Sequence, residues 1–146
     1  MRVWKEELGV SFKQSVTEWE KRFAMALVDV RNIGASIASG SYATRGMLVI
    51  PCSTDTLAAV AHGLASNLLE RAADVTIKEG RRLVLVPRET PLSAIHLENM
   101  LTLARLGVRI VPPMPAFYLL PTTVAEVVEA LVERILQAAG ISAGLE

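Results

Sequence analysis

Three short apolar runs, each closed by proline and each leading into a stretch of helical period, constrain this chain more than any other feature. Gly46-Met47-Leu48-Val49-Ile50 ends at Pro51, Leu83-Val84-Leu85-Val86 ends at Pro87, and Val108-Arg109-Ile110-Val111 runs into Pro112, Pro113 and Pro115. The first two, without polar alternation, have the profile of buried strands, and the third is a strand leading into the proline cluster. Between them the spacing predicts helices over Thr54–Ala61, entered through Ser53 or Thr54, over Asn67–Lys78, and over Ser93–Leu106, ended by Gly107. The inner side of the second is expected to carry Leu68, Leu69, Ala72, Ala73 and Val75, and that of the third Ile95, Leu97, Met100, Leu101 and Ala104. After the prolines, Thr122 or Thr123 caps a long amphipathic helix with Val124, Val127, Val128, Leu131 and Ile135 in one stripe. Strand and helix in alternation define an α/β fold with a mostly parallel sheet. In such sheets ligands bind beyond the carboxyl ends of the strands, which selects 51–56, 87–91 and 112–118.

The 146 residues predict one domain, residues 1–146, with room for one core and one site. Fifteen basic residues balance fifteen acidic ones, and no basic stripe with interleaved aromatics occurs, which argues against a nucleic-acid partner. His62 and His96 are isolated, so no metal is expected. The single cysteine, Cys52, excludes an internal disulfide framework and fits a reducing cytoplasm. No apolar run reaches the roughly 18 to 20 residues of a membrane span, and the charged beginning, MRVWKEELGVSFKQ, does not read as a signal peptide. Half of all residues are nonetheless hydrophobic, and this excess predicts a homo-oligomer. Met1 to Gly9 reads as the tail of a helix, and 10–35 contains no obvious buried strand.

Three groups of residues carry candidate chemistry. Ser53, Thr54, Asp55 and Thr56 follow the first strand, where hydroxyls and the free N–H groups of a helix start can hold an anion or a polar ring edge; helix capping accounts for the same pattern. The small, hydroxyl-rich run Ala35–Ser41 is either a plain loop or a place where backbone approaches a ligand or another subunit. Arg88-Glu89-Thr90 follows the second strand, as a functional pair or as an ordinary surface charge pair. With Lys78 from the preceding helix, Tyr118 after the prolines and Arg134 from the last helix converging on Glu89, the group would bind a phosphate ester and protonate it as it leaves. A solvated helix arginine is the plainer role for Arg134. His96 suits packing or capping, His62 a helix end, and Cys52 either a small buried residue or a reactive thiol.

These same residues lie in text that closely resembles the UbiX-type flavin prenyltransferases, also described as aromatic acid decarboxylase flavoproteins. The resemblance runs from about Ile33 to Arg134 and rests on RAADV-x-x-KE, PRETPL and PPMPAFY in that order. It implies a Rossmann-like (flavodoxin-like) three-layer parallel sheet that binds FMN and assembles as a dodecamer with sites at subunit interfaces. The implied reaction moves a dimethylallyl group from dimethylallyl monophosphate to reduced FMN. The product, prenylated FMN, would serve a UbiD-type decarboxylase. By position, Ser53 to Thr56 and Arg88 would contact FMN, while Lys78, Glu89, Tyr118 and Arg134 would surround the dimethylallyl phosphate, with Glu89 and Lys78 in the catalytic role.

The chain departs from that pattern in three places. Asp55 stands where many members have lysine, and Leu119-Leu120-Pro121 follows PAFY where His-Arg-Pro is common. The opening strand and its Gly-x-Ser-Gly-Ala phosphate turn are not found, which predicts an N-terminally truncated form of the fold. The alternative is a non-catalytic FMN-binding or assembly subunit.

Overall fold

The structure is a computed structural model that describes residue 9 and residues 11–141. The expectation of a helix tail over Met1 to Gly9 lies outside the described residues apart from Gly9. Helix α1 (Phe12–Arg22) comes first. It is followed by an irregular stretch with Phe23, Leu27, Val30 and Ile33 exposed, tied to the body by the Leu68 N–H donating to the Val30 carbonyl at 2.8 Å. As expected, no strand occurs between residues 11 and 35.

Strand β1 (Gly46–Cys52) leads into helices α2 (Thr54–Ala61) and α3 (Leu68–Lys78), then β2 (Arg82–Pro87), α4 (Ala94–Arg105), the two-residue β3 (Arg109–Ile110) and α5 (Val124–Ala139). The three strands form one parallel sheet in the order β1-β2-β3, with Met47 opposite Leu83, Val49 opposite Leu85 and Leu85 opposite Ile110. The β1–β2 register shifts between Val49 and Cys52, where the chain passes through a cis Ile50–Pro51 bond. This is the flavodoxin-like α/β architecture expected of the alternation.

β2 shows why its run carries no polar residue. Leu83 and Leu85 point into a core with Val49, Leu57, Val60, Ala73 and Leu103, whereas Val84 and Val86 meet Ile135 and Ala138 of α5. Successive side chains of a strand alternate between faces, and here helices cover both, so every position from 83 to 87 is buried. Fully burying one such side chain contributes about 1.5–3 kcal/mol.

The helix starts are fixed locally. Ser53 accepts from the Thr56 N–H, Asn67 from that of Glu70, Ser93 from that of His96, and Thr123 from that of Glu126. α5 ends at Gly140, whose φ of 75° places it in the left-handed region, with Gly140 and Ile141 N–H groups closing back on the Gln137 and Leu136 carbonyls. Glycine adopts that conformation without the Cβ penalty.

Two faces differ from the sequence expectation. In α4 the buried positions are Asn99 and Leu103, with Met100 packed against the core, while Ile95, Leu97 and Leu101 are exposed. In α5 the carboxyl half is buried through Ile135 and Ala138, but Val124 and Val128 are exposed. The cause is the same in both: three strands give these helices a platform narrower than their apolar surface.

Candidate active site

Because the sheet is parallel, the three segments that follow its strands leave from the same edge. At the first, the Ser53 hydroxyl accepts from the Thr56 N–H at 3.1 Å and donates to Thr56 Oγ1 at 3.0 Å. Thr54 and Asp55 are the first two residues of α2, so their N–H groups have no partner within the helix. Capping is thus confirmed as one role of this segment, and the same geometry leaves backbone donors turned outward. Cys52 beneath it is 2% exposed, and burial pushes its thiol up to about 11. Its burial agrees with its reading as a small buried residue.

At the second segment Arg88 and Glu89 are both exposed. The Thr90 N–H donates to Glu89 Oε1 at 3.0 Å, which holds the carboxylate over its own loop. Among the described residues Arg88 has no hydrogen bond or ion pair, so its guanidinium is available to an anion. The helix that follows begins with the Ser93–His96 capping box, in which the Ser93 N–H donates to His96 Nδ1 at 3.2 Å. His96 is a capping residue, and His62 is the C-cap of α2.

At the third segment the Val111 N–H donates to the Leu85 carbonyl at 2.9 Å, carrying the β2 pairing one residue past β3. Pro112 then takes the chain out of the sheet, and Phe117–Leu119 forms one 3-10 turn closed by Leu120 in the left-handed region, φ 54°. Tyr118, 83% exposed, lines a cavity of about 250 Å³ with Pro113, Met114, Leu131, Arg134 and Gln137. The structure therefore brings Tyr118 and Arg134 together. Met114 and Gln137 were not singled out from the sequence, although Gln137 is one helical turn beyond Arg134 and so shares its face. Arg88 and Glu89 are not part of that cavity's wall.

Lys78 stands at the opposite end of the sheet from this edge. It is the last residue of α3, and α3 delivers the chain to the start of β2, not its end. There Lys78 makes an ion pair with Glu79 beside Gly40. That hydrogen bond, then the charges of Lys78 and Arg81, hold the Glu79 carboxyl below its ordinary range. A group of three or more His, Cys, Asp or Glu that could hold a metal ion does not occur among the described residues, nor does a helix long and apolar enough to cross a membrane.

A parallel sheet with hydroxyls, a helix start and Arg88, which has no partner among the described residues, at the carboxyl ends of its strands defines an α/β protein whose candidate ligand site is that edge. The chain belongs to the Flavoprotein family, whose sequence model matches residues 2–139. It is 60% identical over 115 residues to a probable UbiX-like flavin prenyltransferase from Streptomyces sp. (strain D7), a match covering 76% of this chain and 58% of that one. Its fold is similar to the crystal structure of a dodecameric FMN-dependent UbiX-like decarboxylase from Escherichia coli O157:H7, with TM-score 0.75 and 57% identity over 77% of this chain and 62% of the other. It is similar also to the crystal structure of AnUbiX (PadA1) in complex with FMN and dimethylallyl pyrophosphate, with TM-score 0.73 and 44% identity over 80% and 64% of the two chains. The chain thus spans about three fifths of the length of these relatives.

Proposed function

We propose that this chain carries the prenyl-transfer half of a flavin prenyltransferase site and acts in a homo-oligomer, a dodecamer by the resemblance. The reaction moves the dimethylallyl group of dimethylallyl monophosphate to reduced FMN and releases phosphate. The observation that carries this reading is the common edge of three segments: Ser53–Thr56, Arg88–Glu89, and the Pro112–Tyr118 loop with Arg134.

The residues fit FMN in kind. The Thr54 and Asp55 N–H groups, without a partner inside the helix, and the hydroxyls of Ser53, Thr54 and Thr56 match the polar edge of an isoalloxazine ring, with the Asp55 carboxylate able to accept from its N–H groups, and Arg88 supplies a positive charge. Reduced FMN, when bound, provides the nucleophilic N5 and C6 positions that take the dimethylallyl carbons. The chain's own residues do the rest. Arg134, together with the Tyr118 hydroxyl, binds the phosphate ester, and Arg134 offsets the charge that grows on the bridging oxygen as the carbon–oxygen bond breaks. Glu89 gives the departing phosphate its proton and later takes the proton lost from the flavin. The exposed Met114, Phe117 and Leu119 exclude water from the prenyl group once a neighbouring copy covers them.

Lys78 enters from that neighbouring copy, since within one chain it stands at the other end of the sheet. The product would pass to a UbiD-type decarboxylase. A cytoplasmic location and a single domain over residues 1–146 complete the reading. Incubating the full chain with reduced FMN and dimethylallyl monophosphate, followed by mass spectrometry of the extracted flavin, tests it: a mass increase of one prenyl unit supports it, and unmodified flavin at saturating substrate refutes it. The place of Lys78 also favours a second reading, a non-catalytic FMN-binding or assembly subunit. Flavin bound in equilibrium dialysis without conversion would select that one.

A further inference from the structure

The opposite edge of the sheet holds a second charged feature that prenyl transfer does not use. Arg45 precedes β1, Arg81 precedes β2 and Arg82 opens it, and Arg109 opens β3, and all four line one cavity of about 810 Å³. Gly46 is paired with Arg82 and Val84 with Arg109, so Arg45 and Arg82 rise from neighbouring strand starts about 5 Å apart, and Arg109 stands one strand further on and two residues along β2. The size lies within the range of small-molecule sites, roughly 300–1,000 Å³.

Helix capping explains part of this cluster. Arg82 Nη1 donates to the Ala139 carbonyl at 3.1 Å and Arg109 Nη1 to the Ala138 carbonyl at 2.7 Å, both at the end of α5. Arg81 donates to the Gly40 and Tyr42 carbonyls. The ends of α3, α4 and α5 all reach the cavity, at Gly80, Gly107 and Gly140. Each helix end carries about −0.5 of a charge, together about −1.5 against four guanidinium groups. Among the described residues none of the four arginines pairs with a carboxylate; the nearby Glu79 is held by Lys78 on the Gly40 side. Arg45 makes no hydrogen bond among those residues. A guanidinium has five N–H donors, and capping uses one from Arg82 and one from Arg109. Arg81 is engaged by the Gly40 and Tyr42 carbonyls and shares the field of Glu79, so among the described residues the charge without a carboxylate is that of Arg45, Arg82 and Arg109, and Arg82 is held against the backbone of Gly140, where a Cβ would collide with it.

We propose that this cavity binds a diphosphate group, free or borne by a nucleotide, at a site separate from the strand-end site. One phosphate can meet two neighbouring guanidinium groups, whereas a diphosphate group reaches across all three strand starts, each arginine gripping oxygens through its planar fork.

Isothermal titration calorimetry of the full chain at low salt, with inorganic diphosphate, inorganic phosphate and ADP as probes, tests this. The expected result is one diphosphate per chain, bound at least tenfold more tightly than phosphate. Binding should weaken at least tenfold in Arg45→Gln/Arg109→Gln and stay unchanged in Lys13→Gln/Lys21→Gln, which removes as much positive charge from α1, outside this cavity's wall. Equal affinity for ADP and diphosphate would assign recognition to the phosphates alone, and tighter ADP would assign it to a nucleotide. Arg45→Gln breaks no hydrogen bond among the described residues, so its own weakening of about threefold, at unchanged circular dichroism, separates ligand loss from unfolding. No heat at millimolar diphosphate, equal binding by the Arg45→Gln/Arg109→Gln protein, or an equal loss in Lys13→Gln/Lys21→Gln would overturn the proposal.

Discussion

Lys78 and Glu89 stand at opposite ends of β2: the lysine closes the helix that feeds the strand, and the glutamate follows the proline that ends it. Six residues of strand at about 3.3 Å each put roughly 20 Å between the two ends. A phosphate ester held by both must therefore lie between two chains. Lys78→Ala and Glu89→Gln proteins should each be inactive, yet co-assembly of the two should restore a fraction of prenyl transfer, because some interfaces then pair an intact lysine with an intact glutamate. Flavin extracted from the mixed assembly and weighed by mass spectrometry checks this; a mixture as inactive as its parents would place both residues in one chain's site.

Ser53→Ala should separate stability from flavin binding. Loss of an N-cap costs about 1 kcal/mol, read as a lower thermal midpoint. The hydroxyl also holds Thr56 through the 3.0 Å bond, so FMN affinity measured by fluorescence quenching should fall by more than the stability change alone produces. Thr54→Ala, which leaves the Ser53 cap intact, should weaken FMN with little effect on the midpoint.

Much of the frame could be read from local chemistry. Ser53, Asn67, Ser93 and Thr123 cap helices where short-range rules place them, since a cap is decided within four residues. β2 was legible because burial on both faces removes polar residues from a strand. The faces of α4 and α5 were not: Ile95, Leu97 and Val124 fit a helical period, but which side is buried depends on how many strands lie beneath. Within one chain Lys78 does not reach the strand-end edge for a topological reason, because a helix entering a parallel strand must end where that strand begins. The pairing of Tyr118 with Arg134 was legible in kind only, as it depends on the Pro112 exit and the turn at Phe117.

Arg134→Gln should test the 250 Å³ cavity. An interaction with phosphate that strengthens as the bond breaks lowers both kcat and kcat/KM when removed. A loss of about tenfold to a hundredfold in kcat/KM is expected at unchanged FMN affinity, with Tyr118→Phe giving a smaller loss. Steady-state kinetics in dimethylallyl monophosphate separate these; a change confined to FMN binding would remove Arg134 from the substrate site.

Leu85 is fully buried between the two neighbouring strands. Leu85→Ala should cost about 2–5 kcal/mol, through lost transfer energy and the cavity left behind. Urea unfolding of the variant should show a lower midpoint at unchanged slope, whereas Leu97→Ala on the exposed face of α4 should leave the midpoint of the isolated chain within about 0.5 kcal/mol.

Cys52 predicts a pH dependence whose sign is fixed by burial. In the unfolded chain its thiol ionises near the ordinary value of 9.0, and in the folded chain near 11. The folded state therefore keeps a proton that the unfolded state loses, so this contribution to stability is complete below about pH 9 and disappears as the pH rises towards 11. The thermal midpoint should fall across that window in the native sequence and fall less in Cys52→Ala. Alkylation by iodoacetamide gives an independent readout: at pH 8 the folded protein should react far more slowly than the urea-unfolded chain, because both burial and the raised ionisation deny the reagent a thiolate. Equal rates in the two states would mean that the end of β1 opens more readily than its packing against Leu57 and Leu85 allows.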